Sequence, residues 1–265
     1  MGKKLGQHFL RDRMVLESIV AAAAPLDGES LLEVGPGEGV LTEHLLEGGA
    51  RVTAVELDPR LAAALRERFG GRPGFRLVEG DIRKVSLEPH SLFDAPDPYK
   101  VAANLPYYLS TPLLFRMAAA RRHLTRLVLM VQEEVALRMA ASPREGKTYG
   151  SLSVAMQHAF TVRTVCRVPP SAFRPPPRVH SAVVALEPRP SELLPEEELA
   201  FYNHVKDLFT RRRKRMASAF KETVAALPPA SRARIDELVG GKRAENLAPA
   251  EHLEAFRCLY PPPEH

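Results

Sequence analysis

Two hydropathy periods alternate along the first two thirds of this chain. Short apolar runs at residues 30–34, 51–56, 75–79, 100–103 and 124–131 read as buried strands, and the last is nearly continuous. Between them lie stretches with helical spacing. Residues 12–24 place Val15, Leu16, Ile19 and Val20 on one stripe behind Asp12, a capping residue, and Pro25 and Gly28 close the helix. Residues 40–46 form a helix ending at Gly48-Gly49, Asp58-Pro59 opens one through Phe69, Ser110-Thr111-Pro112 starts one toward Ala120, and residues 133–141 form another.

Residues 142–153 read as a polar loop. Its Gly146-Lys147-Thr148 is not a phosphate loop, because position 141 is Ala where the leading glycine belongs. Two more strands, 160–168 and 179–186, flank a proline-rich segment from Pro169 to Pro177, a spacing that suits an antiparallel pair closing the sheet edge. The pattern predicts an α/β fold: a doubly wound, mostly parallel seven-stranded sheet with an antiparallel edge strand, over residues 1–188. After Pro188 and Pro190 the strand signals stop, and residues 189–265 read as a small all-helical domain.

One predicted helix in that tail conflicts with itself. A single helix from Phe201 puts Phe201, Val205, Leu208, Phe209, Met216 and Phe220 on one face, and Arg212 falls inside it. Either Arg212 reaches out to the rim or the helix bends near Thr210.

Composition narrows the class. With 265 residues, 45% hydrophobic and 26% charged, the chain has enough apolar material for a real core and is not of disordered composition. No apolar run approaches the ~18 residues of a membrane span, and polar residues interrupt the start where a leader needs an apolar stretch, so a cytoplasmic protein without a membrane partner is expected. Cys166 and Cys258 have no Cys or His beside them at metal-ligand spacing, so no metal site is expected. The net charge of +5 is concentrated. Lys3, Lys4, Arg11 and Arg13 oppose only Asp12, and Lys206, Arg211, Arg212, Arg213, Lys214, Arg215 and Lys221 oppose only Asp207, which leaves the remainder net negative. Two basic clusters on an otherwise acidic chain point to a polyanion, with Lys3, Lys4, Arg211, Arg212, Arg213, Lys214 and Arg215 as candidate RNA-binding residues.

The candidate chemistry lies where the strands end, which is where doubly wound sheets bind ligands. Glu33-Val-Gly35-Pro-Gly37-Glu-Gly39 turns tightly into a helix and lets the backbone approach a ligand closely. Its spacing is Gly-x-Gly-x-Gly rather than the Gly-x-Gly-x-x-Gly of a dinucleotide fold, which disfavours an NAD-dependent dehydrogenase. Glu56 ends the next strand, placed to accept from two ribose hydroxyls. Asp81 ends the third, where it can accept from an adenine amino group while Ile82 packs on the ring face. At the fourth strand end stands Asn104-Leu105-Pro106-Tyr107.

That last group suits methylation of an adenine amino nitrogen, whose lone pair is delocalised into the ring. Two acceptors aimed at its hydrogens draw the nitrogen toward tetrahedral geometry: the side-chain carbonyl of Asn104 and the backbone carbonyl of Leu105, freed because Pro106 cannot continue a ladder. Tyr107 offers a stacking face. No strong general base is needed, since the proton becomes acidic once the amine is alkylated. Such a pocket takes an unpaired or flipped-out adenosine, as in a folded RNA loop.

Together, Gly6-Gln-His-Phe-Leu10, Glu33 to Gly39, Val55-Glu56-Leu57-Asp58, Gly80-Asp81, Asn104 to Thr111 and Pro169 to Ser181 resemble the ribosomal RNA adenine dimethyltransferase family over most of residues 6–186, and Phe209 to Lys214 extends the likeness into the tail. The resemblance implies a Rossmann-like class I methyltransferase fold, S-adenosylmethionine as donor, and as acceptors two adjacent adenosines near the 3′ end of 16S rRNA in the immature small ribosomal subunit, each dimethylated by a monomeric enzyme. It places Gln7, His8, Leu10, Glu33, Gly35, Gly37, Glu56, Leu57, Asp81, Ile82 and Asn104 around the cofactor. Asn104, Leu105, Pro106 and Tyr107 would hold the target base, with Phe173 stacked on its other side. Many relatives carry Asn where this chain has His8. A large-subunit (23S) rRNA adenine methyltransferase of the resistance type and a non-catalytic ribosome-assembly factor are the alternatives.

Overall fold

A computed structural model describes residues 8–94 and 97–261. They form two compact units: one runs to Ala136 and takes up Thr161–Pro188, and the other holds Leu137–Phe160 together with the chain from Arg189 onward.

The first unit carries a seven-stranded sheet. In chain order its strands are β2 (Ser30–Val34), β3 (Arg51–Glu56), β4 (Phe75–Glu79), β5 (Tyr99–Asn104), β6 (Leu124–Gln132), β7 (Phe160–Val168) and β9 (Ser181–Pro188); a separate two-stranded sheet pairs β1 (Phe9–Leu10) with β8 (Phe173–Arg174) antiparallel. The spatial order is β4-β3-β2-β5-β6-β9-β7. Strands β4 to β6 pair in parallel, and β9 runs antiparallel to β6. The antiparallel strand therefore lies one place in from the edge, with β7 outside it. Every residue of β2 is buried, as expected of a parallel strand covered on both faces.

The helices of this unit are α1 (Arg13–Ala23), α2 (Val40–Glu47), α3 (Pro59–Phe69), α4 (Pro89–Leu92), α5 (Ser110–Ala119) and α6 (Glu133–Ala140), whose last residues pass into the second unit. Asp12 caps α1 by accepting from the N–H groups of Met14 and Val15, and Asp58 caps α3 ahead of Pro59. One core joins Ile19, Leu31, Leu45, Val52, Phe69, Ala102, Val128 and Val183 across the sheet, and Leu10 and Phe173 belong to it.

In the second unit α7 (Ser151–Ala159), α8 (Pro195–Thr210), α9 (Met216–Ala219), α10 (Lys221–Ala226), α11 (Pro229–Val239) and α12 (Pro249–Leu259) surround a core of Leu208, Met216, Leu227, Ile235, Leu247 and Leu259. The polar loop expected up to Ser153 instead gives way to α7 at Ser151, where the Ser153 hydroxyl accepts from Gly150 N–H and donates to the Arg138 carbonyl. Residues 152–156 of α7 are all buried, so it has no polar face to set a helical period. The helix from Phe201 does not continue past Thr210. Thr210 Oγ1 donates to the Asp207 carbonyl at 2.7 Å, the chain turns, and Met216 and Phe220 return to the core from outside α8.

Candidate active site

The strand order reverses between β2 and β5, and the crevice at such a reversal is the binding site of doubly wound sheets. Glu33 of β2 stands opposite Ala102 of β5, so the glycine loop leaving one strand and the Asn104–Tyr107 turn leaving the other emerge side by side. Gly35 N–H donates to the Val55 carbonyl at 2.9 Å, and Leu105 N–H to the Met130 carbonyl at 3.0 Å. Gly35 and Gly37 have φ of +66° and +60°, left-handed values that suit glycine. A Cβ on Gly37 would lie 3.1 Å from the Phe9 ring.

These turns wall one cleft of about 1240 Å³, counting the solvent at its mouth. His8, Leu10, Glu33, Gly35, Gly37, Glu56, Leu57, Asp81, Ile82, Asn104, Leu105, Pro106, Tyr107 and Phe173 all line it, although they come from six separate parts of the chain. Gln7, Lys3 and Lys4 lie outside the described residues.

The acids differ in state. Glu33 is 1% exposed, and burial pushes its carboxyl up to about 8 against the Thr42 hydroxyl bond that lowers it, with Glu56 adding repulsion. Glu56, 5% exposed, is braced by Gly37 N–H at 3.1 Å and Asp58 N–H at 2.9 Å, one on each oxygen. Asp81 is held below the usual carboxylate range by hydrogen bonds from Arg83, whose guanidinium contacts both carboxylate oxygens at 2.6–3.0 Å. A ligand amino group at Asp81 therefore meets a carboxylate that Arg83 already occupies.

On the opposite wall, Asn104 Nδ2 donates to the His8 carbonyl at 3.3 Å, which orients the amide and leaves Oδ1 as the free acceptor. The Tyr107 hydroxyl lies 3.2 Å from Ser181 Oγ and its ring centroid 5.7 Å from that of His8, while His8 Nδ1 is 2.8 Å from the Pro175 carbonyl. Tyr108 is 53% exposed at the mouth. Phe173 is 4% exposed and packs in the core as well as on the cleft.

Sequence reasoning missed Thr42, Ser181, Arg83 and Arg116. Thr42 left no trace, since α2 also carries Glu43, His44 and Glu47; Ser181 sat in a motif without a role. Arg116 bonds the Ile82 and Val85 carbonyls, the latter at 2.7 Å, and so anchors the loop that carries Ile82. Nothing in the spacing of residues 82 and 116 signals that contact.

Of the tail cations, Arg211 pairs with Asp207. Arg212 is committed internally: it pairs with Glu245 at 2.5 Å and donates to the carbonyls of Gly146 and Lys147, so it braces the unit rather than offering itself to RNA. Arg213, Lys214 and Arg215 are exposed, and among the described residues no ion pair engages them.

This strand order, with a glycine loop at the switch point and acids at the neighbouring strand ends, defines a Rossmann-like methyltransferase. Solved structures agree: a dimethyladenosine transferase from Plasmodium falciparum superposes with a TM-score of 0.75 at 26% identity, covering 94% of this chain and 96% of that one. The 23S rRNA methyltransferase ErmE gives 0.69 at 26% identity, covering 95% and 99%. The ribosomal RNA adenine dimethylase family model matches residues 1–259. Ribosomal RNA small subunit methyltransferase A of Geobacter sulfurreducens is 43% identical over 97% of this chain and 93% of its own length, and that of Synechococcus sp. (strain JA-3-3Ab) is 43% identical over 84% and 82%. The chain belongs to the ribosomal RNA adenine dimethylase family, and it is a methyltransferase enzyme.

Proposed function

We propose that the protein dimethylates N6 of two adjacent adenosines near the 3′ end of small-subunit rRNA in the immature subunit, acting in the cytoplasm as a monomer with S-adenosylmethionine as donor. The donor fits the cleft on one observation above all. Glu33 is a buried carboxyl with no cation beside it among the described residues, and a positively charged occupant supplies the missing compensation. When bound, S-adenosylmethionine supplies a methyl group on a positively charged sulfur that leaves as a neutral thioether.

Gly35, Gly37, His8 and Leu10 then hold the methionine part, Glu56 accepts from the ribose hydroxyls with the lone pairs its two backbone bonds leave over, and Leu57, Asp81 and Ile82 take the adenine. Asn104 Oδ1 and the Leu105 carbonyl accept the two hydrogens of the target amine and direct its lone pair out of the ring plane. Tyr107, fixed by Ser181, and Phe173 hold the base. None of these roles calls for a metal.

The observation that carries this reading is the orientation of the Asn104 amide by the His8 carbonyl, which aims an acceptor into a cleft built at the β2/β5 switch point. Asn104→Ala is expected to lower turnover by about 10²-fold or more while leaving donor affinity, measured by calorimetry, nearly unchanged. Unchanged turnover would remove Asn104 from the mechanism. Small-subunit rRNA is preferred over 23S rRNA because the relatives named for the small subunit reach 43% identity, against 26% for ErmE.

A further inference from the structure

A second concave feature lies wholly within the helical unit, and no role above uses it. It is an open groove of about 1010 Å³ along α8. Its wall is aromatic. His204 stacks on Phe220 with ring centroids 4.9 Å apart and planes at 25°, and meets the edge of Tyr260 at 5.5 Å. Phe256 completes the wall, 5.5 Å from His204 and 5.1 Å from Tyr260.

Glu196, Glu197 and Asp207 border the same groove; Glu196 is exposed, Glu197 accepts from Leu194 N–H, and Asp207 shares its charge with Arg211. Their spacing with His204 keeps all four on one face of α8, carboxylates at each end and aromatic rings between. From Glu196 to Asp207 that face runs roughly 16 Å, the span of about five residues of extended chain.

His204 itself is 8% exposed, and its Nε2 is buried without a hydrogen-bond partner among the described residues, so an occupant of the groove meets the ring and not that nitrogen. Burial pushes this imidazole down to about 4, so near neutral pH the ring carries no charge to repel a cation.

Aromatic faces between carboxylates attract a cation and repel phosphate. Among cations, a planar guanidinium both stacks on rings and forks onto a carboxylate, which a lysine ammonium cannot do. We infer that the α8 groove is a docking site for an arginine-bearing segment of a basic partner protein, with a guanidinium against the His204, Phe220 and Tyr260 rings and the acidic rim holding neighbouring cations. The site is independent of the methyl-transfer cleft and faces a protein partner rather than RNA.

The test is fluorescence anisotropy of a labelled hexa-arginine peptide with the full chain, with unlabelled hexa-arginine, hexa-lysine and spermidine as competitors, and a separate titration with labelled single-stranded RNA in place of the peptide. Tyr260→Ala and Glu196→Gln alter exposed residues, so both variants are expected to fold and to keep wild-type methyl transfer. Tyr260→Ala is expected to weaken peptide binding by about 2- to 30-fold, the range a cation–π contact spans from exposed to desolvated settings, and Glu196→Gln by up to about 5-fold, the loss of one exposed ion pair. Hexa-lysine is expected to compete more weakly than hexa-arginine. Equal binding to wild type and both variants would overturn the proposal. So would displacement by spermidine or hexa-lysine as complete as by hexa-arginine at the same charge concentration, which would show a general cation surface, or weakened binding of the labelled RNA by both variants, which would make the groove part of an RNA surface.

Discussion

Glu33 shows how far a single residue can be pushed by its setting. Burial pushes its carboxyl up to about 8 by disfavouring the charged form. The folded-state value lies above the unfolded one, so the folded protein binds the extra proton, and stability falls as pH rises from the ordinary carboxylate range to about 8. Glu33→Gln, which mimics the protonated form, is expected to be more stable than wild type at pH 8.5 by a few kcal/mol, with the difference shrinking toward pH 5, in urea unfolding at both values. Below pH 8, donor binding is expected to release a proton at this carboxyl, read by calorimetry in buffers of different ionisation enthalpy. The place of Glu33 was legible in the sequence as an acid before a glycine loop. Its protonation state was not, because that depends on Thr42 and on the strands that bury it.

At the scale of elements, runs and caps were readable. β2, β3 and β4 begin and end where the hydropathy does, and Asp12 and Asp58 cap as their positions predict. What could not be read were contacts between elements with no shared period. The β1–β8 pair joins two-residue strands from opposite ends of the unit, too short for any alternation. Arg116, on α5, reaches the loop after β4 through its guanidinium. Arg116→Ala is expected to leave two carbonyls without their donor, costing about 1–3 kcal/mol each where water does not replace it, and to weaken donor binding more than it lowers turnover at saturating donor. Denaturant titration and calorimetry measure the two effects. Phe173 has two duties that one substitution separates. Phe173→Leu keeps an apolar side chain in the core and is expected to cost about 1–3 kcal/mol of stability for the carbons removed, yet to lower turnover as well if the ring stacks on the base, since stacking is worth about 1–3 kcal/mol.

For the molecule as a whole, the sequence announced both an α/β body and a helical tail, but it did not show that residues 137–160 join the tail as one unit. The buried α7 lacks the amphipathic stripe that would have marked it, and although Arg212 stood out by falling on an apolar face, nothing in the run 211–215 showed that it is spent on Glu245 and two carbonyls. Replacing Arg213, Lys214 and Arg215 together by Ala is expected to reduce the slope of log affinity for rRNA against log salt by about two to three, while Arg212→Ala leaves the slope nearly unchanged and lowers stability instead. The most direct measurement for the molecule is transfer of labelled methyl from S-adenosylmethionine to small subunits lacking the modification, in parallel with large subunits, followed by primer-extension mapping. The account predicts label on two adjacent adenosines near the 3′ end of the small-subunit rRNA, with two methyls on each; label confined to the large subunit, or no transfer from bound S-adenosylmethionine to either, would contradict it.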